Sequence, residues 1–515
     1  MSEAVDLHGI AAMAATAPDK PAIFFGDTVR TYGDLERRIC QLARALRRAG
    51  VGPGTRVGVA LHNSIEWFEA LNALSRLGAW LVPLSFRGRG PEFAWMLSDS
   101  GAALLITDAS LAEEIDRALA EAPLPEERIW VLGEGKPWRG RRFEEATRAE
   151  IDTPLDASFL PGGAYDVMAY TSGTTGRSRG IVREGVVPGH GSAQMRGGAA
   201  MWGYGSDEIH LVPGPLYHTA PSSFGQMHLA IGATLVLMPR FDATEALRLI
   251  AHHRVTNIQM VPAMFVRILA LPEGERLRFD LSSLRCVLHA AAPCPIEVKR
   301  RIMEVFPPGT VWEFYGASEG GATRISPEDW LQRPGSVGLP WPGHSIEIRD
   351  DEGTLLPAGE IGAVWIRPPQ NHRFSYNKAP EKTDAAWREG AFTVGDLGHL
   401  AEDGFLFLAD RRSDLILTGG ANVYPAEVEQ VLFRHPAILD AAVVGLPDEE
   451  MGQKVAAVIE LRAGAVATVA EIDVFCRREL ASYKCPRRIE LVPELPREPS
   501  GKVRKYLLRE MLSRA

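Results

Sequence analysis

The chain has 515 residues, which at roughly 150 residues per domain predicts about three compact units and excludes a single small binding module. Hydrophobic residues make up 46% and charged residues 23%, ordinary globular composition with enough apolar material for real cores. The formal net charge of −9 has the wrong sign for holding nucleic acid or an anionic membrane by bulk charge, so anionic ligands must be caught locally.

The five cysteines, Cys40, Cys286, Cys294, Cys476 and Cys485, are odd in number and scattered, without disulfide or zinc spacing, which fits a reducing cytoplasm. The N-terminal stretch has acids where a signal peptide wants Lys or Arg, and no apolar run reaches the ~18 residues of a membrane span. From Thr31, a cap residue, Leu35, Ile39, Leu42 and Leu46 recur at helical spacing until Gly50. A strand over Arg56 to His62 follows, then a helix with a stripe of Ile65, Phe68, Leu71, Leu74 and Leu77, then the apolar runs AWLVPLS and ALLIT. Alternating strand and helix is the rhythm of a doubly wound α/β layer. It resumes after Asp207 with IHLVPGP, ATLVLMP, VTNIQMVP and LRCVLHA, and with a helix over Ala243 to Val255. Residues 335 to 410 are rich in Gly, Pro and turn acids between short alternating runs and read as β-rich. A helix over Pro425 to Arg434, strands near Ala441 to Val444 and Val455 to Leu461, and a helix near Val469 to Leu480 predict a separate C-terminal α/β unit of about 100 residues.

Four clusters carry chemistry. In the run from Tyr170 to Gly180, the glycines let backbone N–H groups approach an anion, the hydroxyls of Thr171, Ser172, Thr174 and Thr175 add donors, and Arg177 and Arg179 add charge. This is the build of a phosphate cradle, and equally of a flexible surface loop. Neither GxxxxGK[ST] nor GxGxxG occurs in the setting it needs, which disfavours a P-loop enzyme or a dinucleotide dehydrogenase. In the run from Trp312 to Gly320, Tyr315 can lie against a flat base, Ser318 can donate to phosphate, and Glu319 can hold Mg²⁺, which takes one or two carboxylates plus substrate phosphates. A strand end with a solvated Glu fits those residues too. Asp396, in Val394-Gly-Asp-Leu-Gly, and the Asp410-Arg-Arg-Ser-Asp414 run offer acids for a ribose diol, or simply turn acids. Lys502, in Pro496-Arg-Glu-Pro-Ser-Gly-Lys, is by itself a surface lysine on a Pro/Gly loop.

Their order and spacing are decisive. Thr171 to Gly180, Tyr315 to Glu319, Val394 to Asp396, Asp410 to Asp414, Gly419 to Pro425 and Ser500 to Lys502 resemble, in sequence order, the core motifs of the adenylate-forming superfamily of acyl- and aryl-CoA synthetases, carrier-protein adenylation domains and firefly luciferase. The resemblance spans nearly the whole chain. It implies an α/β fold with a large N-terminal AMP-binding domain, residues 1–410, made of two α/β subdomains and the β-rich segment, and a small mobile C-terminal α/β domain, residues 411–515, carrying Lys502. It implies an acid–thiol ligase that joins a carboxylic acid to ATP as an acyl-adenylate and passes the acyl group to coenzyme A, with Mg²⁺ on Glu319. By the same resemblance Thr171, Ser172, Gly173, Thr174, Thr175, Gly176, Arg177, Ser178 and Arg179 wrap the β- and γ-phosphates. Ala291, Ala292, Glu313, Phe314, Tyr315 and Gly316 form the adenine slot, Ser318 touches the α-phosphate, Asp396 and Arg411 bind ribose, and Lys502 bridges the attacking carboxylate and the α-phosphate. Ser413 is the hinge about which the C-terminal domain turns, and Gly419 and Gly420 line the thiol channel.

The sequence departs from the family pattern at Ser178-Arg179 for Pro-Lys, Ser318 for Thr, Val394 for Thr, Ser413 for Asp or Lys, and Ala421 for Glu. Arg179 and Ser318 keep the charge and the hydroxyl; Val394 removes one. The resemblance also implies an acyl pocket of His218, Thr219, Ala220, Phe224, Gly225, Met264, Ala290, Gly316 and Ala317, with His218 as a gate or else a core histidine. Small residues at Ala220, Gly225 and Ala290 predict a medium- or long-chain fatty acid or a bulky alicyclic or steroid-like acid. The absence of Asp or Lys from Tyr217 to Gly225 disfavours amino acids. The other classes are an adenylation enzyme loading a carrier-protein thiol and a non-catalytic acyl or nucleotide binder. The partners expected are small molecules, with no nucleic acid and no membrane span, and a homodimer is compatible with the sequence.

Overall fold

The computed structural model describes residues 9–148, 150–156, 159, 167–171, 178–184, 191–369, 372–498 and 502–514. The chain folds as an α/β protein with a large N-terminal part and a small C-terminal domain. Packing divides it into two units, one of Met1–Phe241, His252–Gln259 and Gln370–Asp384, the other of Asp242–Ala251, Met260–Pro369 and Ala385–Ala515.

The first unit holds a parallel sheet ordered Trp80–Pro83, Arg56–Ala60, Leu104–Asp108, Ile129–Leu132, Arg141–Arg142. Thr31 caps the helix Tyr32–Arg48 as the sequence predicts: its Oγ1 accepts the Asp34 N–H at 3.1 Å, and Leu35, Ile39, Leu42 and Leu46 are buried. The helix Ile65–Arg76 is buried nearly all round, with Trp67 and Phe68 among the largest wholly buried side chains. A second run of strands, Thr28–Thr31, Pro21–Phe25, Thr234–Leu237, Ile209–Val212 and Asn257–Met260, is parallel apart from its first hairpin.

In the second unit, Cys286–His289 runs parallel to Val311–Gly316, and from there the strands turn antiparallel: Gly321–Ile325, Ser336–Pro340, Leu406–Arg411, Asp396–Leu400 and Gly362–Arg367 follow in spatial order. This is the β-rich stretch that the Gly/Pro punctuation predicts; one of its strands, Arg373–Tyr376, instead pairs with Arg179–Glu184 in the first unit. The C-terminal sheet is ordered Ala421–Val423, Ile416–Thr418, Gly452–Leu461, Ile438–Asp448, with Arg488–Val492 parallel to Gly452–Leu461. Its central hairpin is longer than the apolar runs suggest. Gln453 and Lys454, opposite Pro447 and Leu446, continue the ladder beyond the apolar runs, and backbone pairing does not require apolar side chains on both strands. Ala442, Val444, Val458, Leu495, Leu508 and Leu512 form its core.

Candidate active site

The strand Val311–Gly316 decides where the central side chains point. Alternation along a strand puts Val311, Glu313 and Tyr315 on the buried face and Phe314 on the other. Tyr315 Oη donates to Asp396 Oδ2 at 2.6 Å, and both residues are buried. Asp396 stands opposite Arg411 in the antiparallel pair, and the Arg411 Nε lies 3.3 Å from its Oδ1. Burial, reinforced by the Asp396 charge, pushes the Tyr315 phenol well above its ordinary value, so it stays a donor. Next to Asp396, Gly395 has φ +84° and its N–H donates to Thr393 Oγ1 at 3.2 Å. The hydroxyl that Val394 lacks is thus present one residue earlier, where it fixes this turn.

Beyond Tyr315 the chain turns tightly: the Ala317 N–H donates to the Gly320 carbonyl at 2.8 Å and the Gly320 N–H returns to the Ala317 carbonyl at 3.1 Å. Ser318 and Glu319 form the tip. A Cβ at Gly316 would sit 2.9 Å from Gly321 Cα and 3.1 Å from the Gly320 carbonyl oxygen, so the turn itself demands glycine there. Lys502, far along the chain, belongs to the same electrostatic neighbourhood. Burial and the Arg411 guanidinium push its ammonium below the ordinary lysine value, while Glu498, Asp396 and Glu319 pull it back. Its carbonyl accepts the Glu498 N–H at 2.7 Å. Tyr315, Glu319, Asp396, Arg411 and Lys502, five residues picked from four separate motifs, are therefore gathered in one place.

The rest of the expected adenine slot divides. The Glu313 carboxylate faces away from solvent and pairs with Lys299 Nζ at 2.6 Å, so only its backbone is left for a base. Lys299 is wholly buried, its Nζ 4.6 Å from the centre of the Trp330 ring. His289, held well below its ordinary value by burial and by Lys299, faces Glu313 as a neutral ring 3.4 Å away. Phe314 points instead toward Trp341, ring centres 6.2 Å apart. Ala291, just past the parallel strand Cys286–His289, has φ +76°, a strained conformation for a residue with a Cβ. It lies beyond the carboxyl end of a parallel strand, where open α/β sheets receive ligands. Ala290 is buried and Ala292 partly so.

Ser172, Gly173, Thr174, Thr175, Gly176 and Arg177 lie outside the described residues. The segments either side of them form a hairpin, with Thr171 opposite Arg179 and Tyr170 opposite Gly180. Tyr170 Oη donates to Asp99 Oδ2 at 2.6 Å, Trp95 Nε1 donates to the Ser178 carbonyl at 2.9 Å, and the Arg179 guanidinium lies 5.7 Å from the Tyr376 ring centre.

His218 precedes the helix Thr219–Ala230, its ring 4.3 Å from that of Tyr217, which meets Phe86 edge-on at 5.3 Å. Thr219 and Ala220 open the helix, partly buried, and Phe224 packs with Trp202 and the Met195–Met227 cluster. Gly225 differs from the expectation of open space: a Cβ there would sit 2.7 Å from Phe68 Cζ, so its missing side chain serves the packing against helix Ile65–Arg76 and opens no space in that direction. The same seam is locked by Asn72 and Gln226, which exchange two 2.9 Å hydrogen bonds, and by Trp67 Nε1 donating to Ser222 Oγ at 3.0 Å. In the second unit Met264 is buried on the helix Pro262–Ala270.

Ser413 is exposed in the turn that the Asp414 N–H closes onto the Arg411 carbonyl at 2.9 Å. Gly419 and Gly420, φ +55° and +80°, make the turn into Ala421–Val423, and the Gly419 N–H donates to the Met451 carbonyl at 2.9 Å. The sequence reading missed Lys299, although in the helix Ile296–Val305 it stands on the apolar stripe with Val298 and Ile302, where a lysine needs a buried partner.

The model of the AMP-binding enzyme family matches residues 10–374, and that of the AMP-binding enzyme C-terminal domain matches residues 427–502. The chain belongs to the AMP-binding enzyme family. It is an adenylate-forming enzyme of the acid–thiol ligase kind, as its motifs imply. It is 32% identical over 97% of its length to a 2-succinylbenzoate–CoA ligase of Geobacillus sp. (strain WCH70), covering 96% of that protein. It is also 32% identical to the long-chain-fatty-acid–CoA ligase FadD13 of Mycobacterium tuberculosis, covering 95% of this chain and 94% of the other. Among solved structures, an anthranilate CoA ligase, AuaEII, in complex with anthranoyl-AMP superposes with a TM-score of 0.87 at 28% identity, covering 98% of this chain and 97% of that one.

Proposed function

We propose that this enzyme is an ATP-dependent carboxylic acid:coenzyme A ligase of the cytoplasm. We propose further that it acts on a medium- or long-chain fatty acid or a bulky alicyclic or steroid-like acid. The observation that carries the reading is the gathering of Lys502 with Arg411, Asp396, Tyr315 and Glu319: a cation beside a carboxylate already oriented by a phenol and a guanidinium. In the first half-reaction a carboxylate oxygen of the acid forms a bond to the α-phosphorus of ATP, the bond from that phosphorus to the bridging oxygen breaks, and pyrophosphate leaves with the electron pair. Two anions approach each other, and a cation fixed in a partly dehydrated site lowers that barrier more than one in water. Lys502 is assigned that role. Asp396 accepts from the ribose hydroxyls while Tyr315 and Arg411 hold it still, and the hydroxyls, glycines and guanidiniums of the Thr171 to Arg179 sequence are assigned to the outer phosphates.

Among the described residues no cluster of three or more His, Cys, Asp or Glu could hold a metal alone. That fits Mg²⁺, which takes one or two carboxylates plus phosphate oxygens, and Glu319 is the ligand we assign. When bound, Mg²⁺ neutralises charge on the phosphates. In the second half-reaction the thiol sulfur bonds to the acyl carbon, the bond from that carbon to the adenylate oxygen breaks, AMP leaves with the electron pair, and the thiol proton passes to solvent. The 411–515 domain turning about Ser413 would bring Gly419 and Gly420 to the thiol. For the acid, the small side chains of Ala220 and Ala290 support the proposed class; Gly225 does not, since the direction of its missing side chain is filled by Phe68.

The test is AMP release with ATP, coenzyme A and a panel of acetate, octanoate, palmitate, cyclohexanecarboxylate, cholate, 2-succinylbenzoate and anthranilate. Octanoate, palmitate or an alicyclic acid should exceed acetate. Preference for acetate, or for either aromatic acid, refutes the substrate class. Turnover only with a carrier-protein phosphopantetheine refutes coenzyme A as acceptor.

A further inference from the structure

The chain on either side of residues 499–501 pairs with itself, and this pairing is clamped to the C-terminal sheet. Arg497 and Val503 face each other in an antiparallel bridge. The Glu498 N–H donates to the Lys502 carbonyl at 2.7 Å and the Arg504 N–H to the Pro496 carbonyl at 2.8 Å. The backbone of Lys502 is thus tied directly to the residues beside Arg497. Arg497 makes a two-pronged bond to Asp440, Nε to Oδ2 at 2.8 Å and Nη2 to Oδ1 at 2.6 Å. Asp440 is 5% exposed, and its Oδ1 also accepts the Ala441 N–H at 2.9 Å. Across the central hairpin, Asp440 stands opposite Glu460, whose Oε2 accepts the Leu495 N–H at 3.1 Å. Two neighbouring carboxylates on adjacent strands therefore hold both ends of residues 495–497, and Leu495 is buried between the sheet and the terminal helix.

We propose that Arg497 and Asp440 are the positioning pair for Lys502, setting where its ammonium stands relative to Asp396, Arg411 and Glu319. Lysine is a point charge on a flexible four-carbon stem, so its head is no better placed than its backbone. A planar guanidinium gripping a buried carboxylate through two parallel bonds fixes orientation as well as distance. In this role Arg497 is a positioning residue that acts through the backbone of Lys502. The inference rests on the reading of Lys502 as the cation of the adenylation half-reaction.

The test separates the two half-reactions in Arg497→Ala, Arg497→Lys, Asp440→Asn, Lys502→Ala and the double variant Arg497→Ala/Lys502→Ala. Adenylation is read as ATP–pyrophosphate exchange with octanoate or, if another acid of the panel turns over faster, with that acid. Thioester formation is read from the supplied acyl-adenylate, and the thermal midpoint is measured alongside. Because a misplacement of about 1 Å can cost ~10²-fold in rate, Arg497→Ala and Asp440→Asn should lose exchange by about that factor. They should form thioester near the wild-type rate, and Arg497→Lys should fall between. The double variant should exchange no more slowly than Lys502→Ala alone, since a residue acting only through another adds nothing once that one is gone. Wild-type exchange in Arg497→Ala and Asp440→Asn, equal loss of both half-reactions, or a further loss in the double variant would each overturn the proposal. Undiminished exchange in Lys502→Ala would instead overturn the role given to the lysine.

Discussion

Replacing Lys299 by methionine removes one half of a buried ion pair and leaves the Glu313 carboxylate without its cation. A charge so placed takes up a proton instead of staying ionised. The cost is then bounded by protonating an ordinary glutamate: at pH 7, with an unfolded value near 4.3 and about 1.36 kcal/mol per unit, about 3.7 kcal/mol. At pH 5.5 the same arithmetic leaves about 1.6 kcal/mol. Burial already pushes the Glu313 carboxyl up, with Lys299 the opposing influence, so removing Lys299 raises it further. Between the unfolded value and the raised folded one, the native state holds more protons than the unfolded state, so the variant gains stability as pH falls. Glu313→Gln strands the ammonium instead, at a cost of up to about 4.6 kcal/mol at pH 7, and that deficit shrinks as pH rises. Lys299→Met/Glu313→Gln should lie close to wild type, because exchanging both partners of a buried pair for neutral groups is near neutral. Urea unfolding of the four proteins between pH 5.5 and 8.5, each against wild type at the same pH, reads the slopes. Deficits that do not change with pH, or that change in the same direction in both single variants, would refute the reasoning.

Lys502→Ala should abolish ATP–pyrophosphate exchange by a factor on the order of 10²–10³ while still converting supplied acyl-adenylate to thioester; equal loss of both refutes the division of labour. Tyr315→Phe removes a hydrogen bond to a buried carboxylate worth about 1.5–3 kcal/mol, and should raise the KM for ATP about tenfold or more while leaving that for coenzyme A unchanged in steady-state assays. Gly225→Ala crowds Phe68 and should cost about 1–3 kcal/mol of stability without altering the order of acids in the panel. Because burial and Arg411 push Lys502 down, and its protonated form is the useful one, kcat/KM should fall on the basic side below the ordinary lysine range. In Glu498→Gln, which removes a charge that raises it, the basic limb should move to lower pH.

The elements that sequence foretold best are those whose pattern is local. The Thr31 cap, the stripe of Leu35, Ile39, Leu42 and Leu46, and the alternation of Val311–Gly316 are each fixed by neighbours within a turn or two. The motif residues Asp396, Arg411 and Lys502 were legible as a set, since only their order along the chain was needed to suspect that they meet. What stayed hidden was the direction of side chains that depends on distant partners. Glu313 reads like its neighbour Tyr315, yet one is drawn to Lys299 and the other to Asp396. Gly225 looked like space for a ligand because a missing side chain does not say which neighbour fills the gap; Phe68, more than 150 residues away, does. Asp440 belongs to no motif, and Arg497, although it stands in the Pro496–Lys502 run, has nothing in the sequence to name its partner; their pairing depends on the fold that brings a strand 57 residues earlier beside it.

The polar groups of the site are engaged with one another through contacts within the protein. Asp396 is fixed through both oxygens, by Tyr315 and Arg411, and Tyr315 sits on a strand anchored two residues earlier by the Lys299–Glu313 pair. Orientation that folding has secured need not be bought from binding energy when nucleotide arrives, so more of that energy remains for the transition state. Lys502 differs in kind. It has no hydrogen-bonded carboxylate among these contacts and stands between the repulsion of Arg411 and the attraction of Glu498, Asp396 and Glu319. In the role proposed for it, a cation balanced in this way would leave its donors for incoming anions, and the thioester half-reaction would not need it. Rigid acceptors for the nucleotide and a lightly held cation for the chemistry are what two successive reactions in one cleft require.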